Sequence, residues 1–169
     1  MKKMYLKLNT IESIVDLQNE DILNRVGEKQ SCQGLLFGTH CFMPKLVRVE
    51  THLNTHCIGG AQFHPETWLN AFSNGSFKDR PIGHPKFLKR LGVLRWAMYF
   101  VRDQRHTQAF RNMQLAPYLP CTNPRLKGNV LVVKVHDLTG ADDVQPEEIE
   151  WLQQLVISAL HKEMSTSAS

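Results

Sequence analysis

The sequence predicts a single α+β domain in which a small sheet packs around a central buried helix, with an open α/β sheet as the alternative. Apolar residues recur with the period of strands in some stretches and of helices in others, and the two kinds of element do not alternate strictly. The length of 169 residues and the hydrophobic fraction of 42% are those of one globular domain. We place this domain at residues 1–164 and expect the polar tail at 165–169 to fray.

Local patterns predict the elements of the first half of the chain. They are a strand at 4–9, a helix at 10–29, strand-like segments at 34–42 and 45–53, and a short helix that begins at Pro65. Along 45–53, side chains alternate so that Val47 and Val49 point to one face and His52 points to the other. This alternation is typical of a half-buried strand.

The longest helical pattern runs from residue 85 to residue 111. At about 100° per residue, one narrow stripe of this helix carries Phe87, Leu91, Leu94, Met98 and Val101. Much of the remaining surface is also apolar, with Val93, Trp96, Ala97, Tyr99 and Phe100. A helix that is apolar on nearly all sides is a buried helix. We therefore expect 85–111 to be the central element.

A strand followed by a helix ends the domain. The β-branched run at 130–138 predicts a buried strand, and a helix begins at Pro146 with two glutamates in its first turn. The core face of this helix is predicted to carry Ile149, Leu152, Val156, Ala159 and Leu160. Together they form a C-terminal strand–helix unit.

The sequence contains no apolar run of about 20 residues and no secretory signal at its start. We therefore expect an intracellular protein, in the cytoplasm or nucleus, without a membrane partner. In a reducing compartment the four cysteines are expected to be free thiols or metal ligands rather than disulfides.

Charge is distributed unevenly along the chain. Residues 78–111 contain nine Lys or Arg and two Asp, a local net charge of +7, whereas 137–150 contain six acids and no base. The predicted basic surface consists of Lys86, Lys89, Arg90, Arg102, Arg105, Arg111, Arg125 and Lys127. Cations interleaved with aromatic rings are typical of surfaces that bind nucleic acid. The first hypothesis is therefore a non-enzymatic binding domain for nucleic acid or another anionic partner, such as an acidic protein surface. Pairing of these cations with 137–150 would remove the surface.

Seven of the twelve Cys and His residues lie between positions 32 and 64. Thiolates and imidazoles are the ligands of zinc, so this cluster supports a second hypothesis, a metal-binding protein. Its predicted ligands are His52, His56, Cys57 and His64, although their spacing matches no zinc finger. The sequence indicates no cofactor as required, and the Cys and His residues at 32–64 make zinc the one candidate.

Two further alternatives stay open. A cysteine enzyme would need a thiolate, a base and an orienting group. The candidates for these roles are Cys41 or Cys57, His56 or His64, and Glu66 or Asn54. The other alternative is a subunit of a protein assembly, in which the basic middle segment and the acidic last helix contact neighbouring chains.

Overall fold

The computed structural model describes residues 29–53, 61–69, 77–83, 93–101, 109–119, 126–136 and 140–166. These residues form six strands and two α-helices. In chain order they are β1 (Lys29–Phe37), β2 (Lys45–Leu53), β3 (Ala61–His64), α1 (Glu66–Leu69), β4 (Phe77–Ile82), β5 (Val93–Val101), β6 (Val130–His136) and α2 (Ile149–Thr166). The predicted strand at 4–9 and helix at 10–29 lie almost wholly outside the described residues.

The six strands form one sheet in the order β3-β2-β1-β6-β5-β4, and every pair of neighbours is antiparallel. The sheet curls into a half-barrel. Phe63 on β3 and Tyr99 on β5 show the curvature, because their ring centroids lie 6.3 Å apart although three strands separate them. Flat strands spaced about 4.8 Å apart would place these residues about 19 Å from each other. The inner face of the sheet therefore closes on itself.

The predicted architecture is wrong in its centre. Residues 93–101 of the expected helix at 85–111 form β5, which pairs with β4 and β6. Trp96 and Met98 are buried on one face of β5, and Ala97 and Tyr99 on the other. A strand covered on both faces is a continuous apolar run, the same pattern that a buried helix gives. The open α/β sheet is also wrong, because the sheet is entirely antiparallel.

Each face of the sheet has its own core. On the outer face, Leu152, Val156 and Leu160 of α2 pack against Trp96 and its neighbours. On the inner face, apolar side chains from several strands meet in the concave half-barrel, among them Val49, Phe63, Tyr99, Leu131 and Val133. The predicted strands at 45–53 and 130–138 and the helix after Pro146 are confirmed, with its core face, by β2, β6 and α2.

Gly34 lets the inner face close tightly at the middle of β1. A Cβ atom at this position would lie 2.8 Å from Val49 Cγ2 and 3.0 Å from the carbonyl oxygen of Val132. The second contact is with the backbone of the neighbouring strand, which cannot move aside without breaking the sheet. Glycine is required here for close approach.

Candidate functional site

The structure describes two of the eight residues of the predicted basic surface. Arg111 and Lys127 are partners in an isolated antiparallel bridge. The others, Lys86, Lys89, Arg90, Arg102, Arg105 and Arg125, lie outside the described residues. The two described cations, sixteen positions apart in sequence, are thus neighbours in space.

Hydrogen bonds on both sides of this bridge form a short ladder between 110–112 and 126–128. The amide of Gly128 donates to the carbonyl oxygen of Phe110 at 2.8 Å, and the amide of Asn112 donates to that of Leu126 at 2.8 Å. Gly128 has a φ of 78°, a left-handed conformation that glycine adopts without strain. The backbone that carries Phe110 and Arg111 is therefore fixed.

Asn112 ties the ladder to the sheet. Its side chain is fully buried, and Nδ2 donates to the carbonyl oxygens of Phe37 at 2.9 Å and Gly128 at 3.0 Å. Its Oδ1 accepts from the amide of Leu115 at 3.0 Å. One side chain thus joins the end of β1, the ladder and the turn that follows it.

The loop between β1 and β2 lies against the same ladder. The amide of Thr39 donates to Asn129 Oδ1 at 2.8 Å, and the ring centroids of His40 and Phe110 lie 5.1 Å apart in an edge arrangement. Phe42 and Met43 follow in this loop, and 98% and 75% of their surfaces are exposed. The loop therefore brings its apolar side chains to the end of the sheet that carries Arg111.

We call this end of the sheet the aromatic–basic end. Phe110 and Met113, which are 69% and 61% exposed, precede and follow the exposed Arg111 in the sequence. Its residues are Phe42, Met43, Phe110, Arg111, Met113 and Lys127. Phe42, Met43 and Met113 are not among the residues predicted from the sequence. "CFMP" could have revealed the first two, because Pro44 favours a turn over the strand predicted through residue 42.

Part of the basic segment is neutralised within the domain. Lys78 and Arg80 on β4 both form ion pairs with Glu163 of α2. On the same face, Lys134 pairs with Asp142 at 3.3 Å and Glu148 at 3.2 Å. Glu163 therefore neutralises two cations of the basic segment, whereas Asp142 and Glu148 pair with a lysine outside that segment. None of these four pairs joins 78–111 to 137–150, which is the pairing that the competing interpretation expected.

Glu163 should make the stability of the fold depend on pH in the acid range. Burial raises the pKa of this carboxyl, but the hydrogen bonds and charges of Lys78 and Arg80 outweigh burial and leave the pKa below 4.5. The Glu163 carboxyl therefore binds a proton less readily in the folded state than in the unfolded state. Its contribution to the stability of the fold is present above the pKa of the unfolded state and is lost as pH falls through the pKa of the folded state.

We expect Glu163→Gln to lower the free energy of unfolding at pH 7 by about 1 kcal/mol, because both cations remain two-fifths exposed and screened by water. Urea denaturation at pH 7 and pH 3 measures the difference between the variant and the unmodified protein. An equal difference at both pH values would contradict this account.

Two of the four predicted metal ligands meet in the structure. His52 Nδ1 and His64 Nε2 lie 2.8 Å apart, and the ring centroids are separated by 4.8 Å. His56 and Cys57 lie outside the described residues. Within the described part of the chain, no group of three or more metal-ligating side chains converges.

The described members of the cysteine-enzyme hypothesis do not converge. Cys41 lies in the loop before β2, whereas His64 pairs with Glu50, five residues along β2 from its start at Lys45. At about 3.3 Å per residue, this places His64 roughly 16 Å from the loop. Cys57, His56 and Asn54 are outside the described residues. The described candidates for nucleophile and base, Cys41 and His64, are therefore not brought together.

A cavity of about 290 Å³ opens between β1, β2 and Asp143. Its polar groups bond to one another: Arg48 Nε donates to Ser31 Oγ at 2.8 Å, and the amide of Gln33 donates to Asp143 Oδ1 at 2.6 Å. Cys32 also lines this cavity. Burial, with the added charges of Asp143 and Asp142, raises the pKa of the Cys32 thiol to about 12.

Cys32 should therefore resist thiol reagents in the folded protein, because the thiolate is the reactive species. We expect a maleimide at pH 7.5 to label Cys41 without labelling Cys32, and urea to release Cys32, which peptide mass spectrometry can follow. Because the folded pKa exceeds the unfolded value of 9.0, this group favours the folded state below pH 9 and loses that effect as pH rises towards 12. Labelling of Cys32 as fast as Cys41 would contradict its burial.

Comparison with protein-family models finds no match, and comparisons with curated proteins and with solved structures find no significant one. Within the described residues, no helix has the length and apolar character needed to cross a membrane.

Proposed function

We propose that the protein is a non-enzymatic binding domain that holds single-stranded nucleic acid at its aromatic–basic end. The observation that carries this proposal is Phe110, an exposed ring on the residue that precedes Arg111, in a segment whose backbone is fixed by hydrogen bonds. Proteins that bind single strands combine cations along the phosphate backbone with aromatic rings on which bases stack.

The exposed rings favour a single strand over a duplex. Phe42 and Phe110 are 98% and 69% exposed, and the bases of a single strand can leave their own stack to pack on these rings. Bases in a duplex are already stacked and paired, which leaves the phosphates and the base edges in the grooves for contact but covers the base faces. A protein that read phosphates alone would have no use for exposed rings.

The rigidity of the site favours binding as well. The ladder and Asn112 hold Phe110 and Arg111 in place before a ligand arrives, so little backbone entropy is lost on association. The net charge of +4 adds a weak attraction for any polyanion.

The test is fluorescence anisotropy with labelled single-stranded DNA and RNA of roughly 12 nucleotides, a length within the range of such sites. We expect affinity to fall steeply between about 50 and 200 mM salt. Phe110→Ala should weaken binding by about 1–3 kcal/mol, or roughly 5- to 150-fold, through lost stacking. Arg111→Ala should lower the slope of log affinity against log salt by about 1.

Tyr118→Ala is the matched control, because Tyr118 is half exposed but lies in the 3-10 turn Ala116–Tyr118 rather than at the aromatic–basic end. It should bind as the unmodified protein does. Affinity that hardly changes with salt, or an equal loss in Phe110→Ala and Tyr118→Ala, would overturn the proposal. Tighter binding of a duplex of the same length would also contradict it.

A further inference from the structure

His52 and His64 sit on neighbouring strands on the outer face of the sheet. The register pairs His52 with Gln62 and Glu50 with His64, so the two histidines are diagonal neighbours on the same face. Their nitrogens Nδ1 and Nε2 lie 2.8 Å apart, and both side chains are half-buried. The pairing of β2 with β3 thus holds two imidazoles together that are twelve positions apart in sequence.

A contact of this length between two imidazole nitrogens requires one of them to donate a proton and the other to accept it through its lone pair. Two imidazolium ions cannot form it, because neither then has an acceptor. A single proton therefore lies between His52 Nδ1 and His64 Nε2, bonded to one nitrogen and accepted by the lone pair of the other. A metal cation can take the place of that proton.

The distance suits this replacement. Two nitrogens bound to a tetrahedral zinc ion at about 2.0–2.1 Å lie about 3.3 Å apart. The rings would have to open by about 0.5 Å, which small side-chain rotations supply.

We propose that His52 and His64 form a two-imidazole site for a divalent transition-metal ion of the zinc and nickel class, with water completing the coordination. Imidazole nitrogen favours such ions over magnesium, which prefers oxygen ligands. These two imidazoles are the only protein ligands that the site requires, and metal binding here does not depend on nucleic-acid binding.

The test is isothermal titration of the full chain with Zn²⁺, Ni²⁺ and, as a negative control, Mg²⁺. We expect one Zn²⁺ or one Ni²⁺ ion to bind at the His52–His64 site, and no heat of binding from Mg²⁺. His52→Ala and His64→Ala should each weaken metal binding at least about tenfold. Mutating a residue that only hydrogen-bonds to a metal ligand already lowers the affinity about tenfold or more, and losing the ligand itself costs at least as much. Imidazole proton resonances of His52 and His64 should shift on adding Zn²⁺.

Two variants separate metal binding from structure. His64→Gln keeps a side chain that can hydrogen-bond to His52 but removes the imidazole ligand, so it should stay folded and still lose metal affinity. His40→Ala removes an exposed histidine at the other end of β2 and should bind as the unmodified protein does. Unchanged affinity in His64→Gln, an equal loss in His40→Ala, or no uptake of either metal would overturn the proposal.

Discussion

Replacing Trp96 by alanine should lower the free energy of unfolding by about 3–5 kcal/mol, the usual cost of deleting a buried aromatic ring. Trp96 is fully buried on the outer face of β5. Its ring meets Trp151 of α2 edge-on at 5.4 Å, and the Lys134 ammonium lies 5.3 Å from its centre. The substitution would leave a cavity between the sheet and α2, and urea denaturation measures its cost.

Trp96→Phe is the matched variant. The Trp96 indole Nε1 has no hydrogen-bond partner within the described part of the chain. Phenylalanine is smaller than tryptophan, so this substitution removes side-chain volume but breaks no hydrogen bond to a described residue. We expect it to cost less than half as much as alanine. If Trp96→Ala cost under about 0.5 kcal/mol, as a surface substitution does, α2 would not pack on this face.

Asn112→Ala should lower the free energy of unfolding by about 2–4 kcal/mol, because it removes three hydrogen bonds and leaves buried backbone groups without partners. The same substitution should weaken binding of single-stranded DNA, since it frees the ladder that holds Phe110 and Arg111. Thermal and urea denaturation give the first effect, and fluorescence anisotropy below the unfolding transition gives the second.

Gln114→Ala supplies the control. Gln114 is also buried and only two residues away, but its amide nitrogen and oxygen have no hydrogen-bond partner among the described residues. Its replacement should therefore be close to neutral for stability and for binding. Equal effects of the two substitutions would show that Asn112 does not position the aromatic–basic end.

Elements with a single local interpretation could be predicted from the sequence. The alternation along β2, the β-branched run of β6 and the amphipathic pattern of α2 each allow one structure, and all three are confirmed. The pattern around Trp96 allows two, because burial on both faces removes the period that distinguishes a strand from a helix. The choice between them depends on pairing with β4 and β6, which a single sequence does not reveal.

The candidate site was predictable only in part for the same reason. Charge alone indicates Arg111 and Lys127, but their adjacency depends on the ladder between distant segments. Phe42 reaches this region because the β1–β2 loop packs on Phe110 through His40. Residue type alone indicates His52 and His64 as metal ligands, and the pairing of β2 with β3 brings them together.

The most direct test of the proposed function is an NMR titration of the ¹⁵N-labelled protein with single-stranded DNA, followed through the backbone amides. We expect the largest shifts at His40 to Met43, Phe110 to Met113 and Lys127, with little change at Lys78, Arg80 and Glu163, whose ion pairs join β4 to α2. Shifts concentrated on β4 and α2, or none at the aromatic–basic end at saturating DNA, would contradict it.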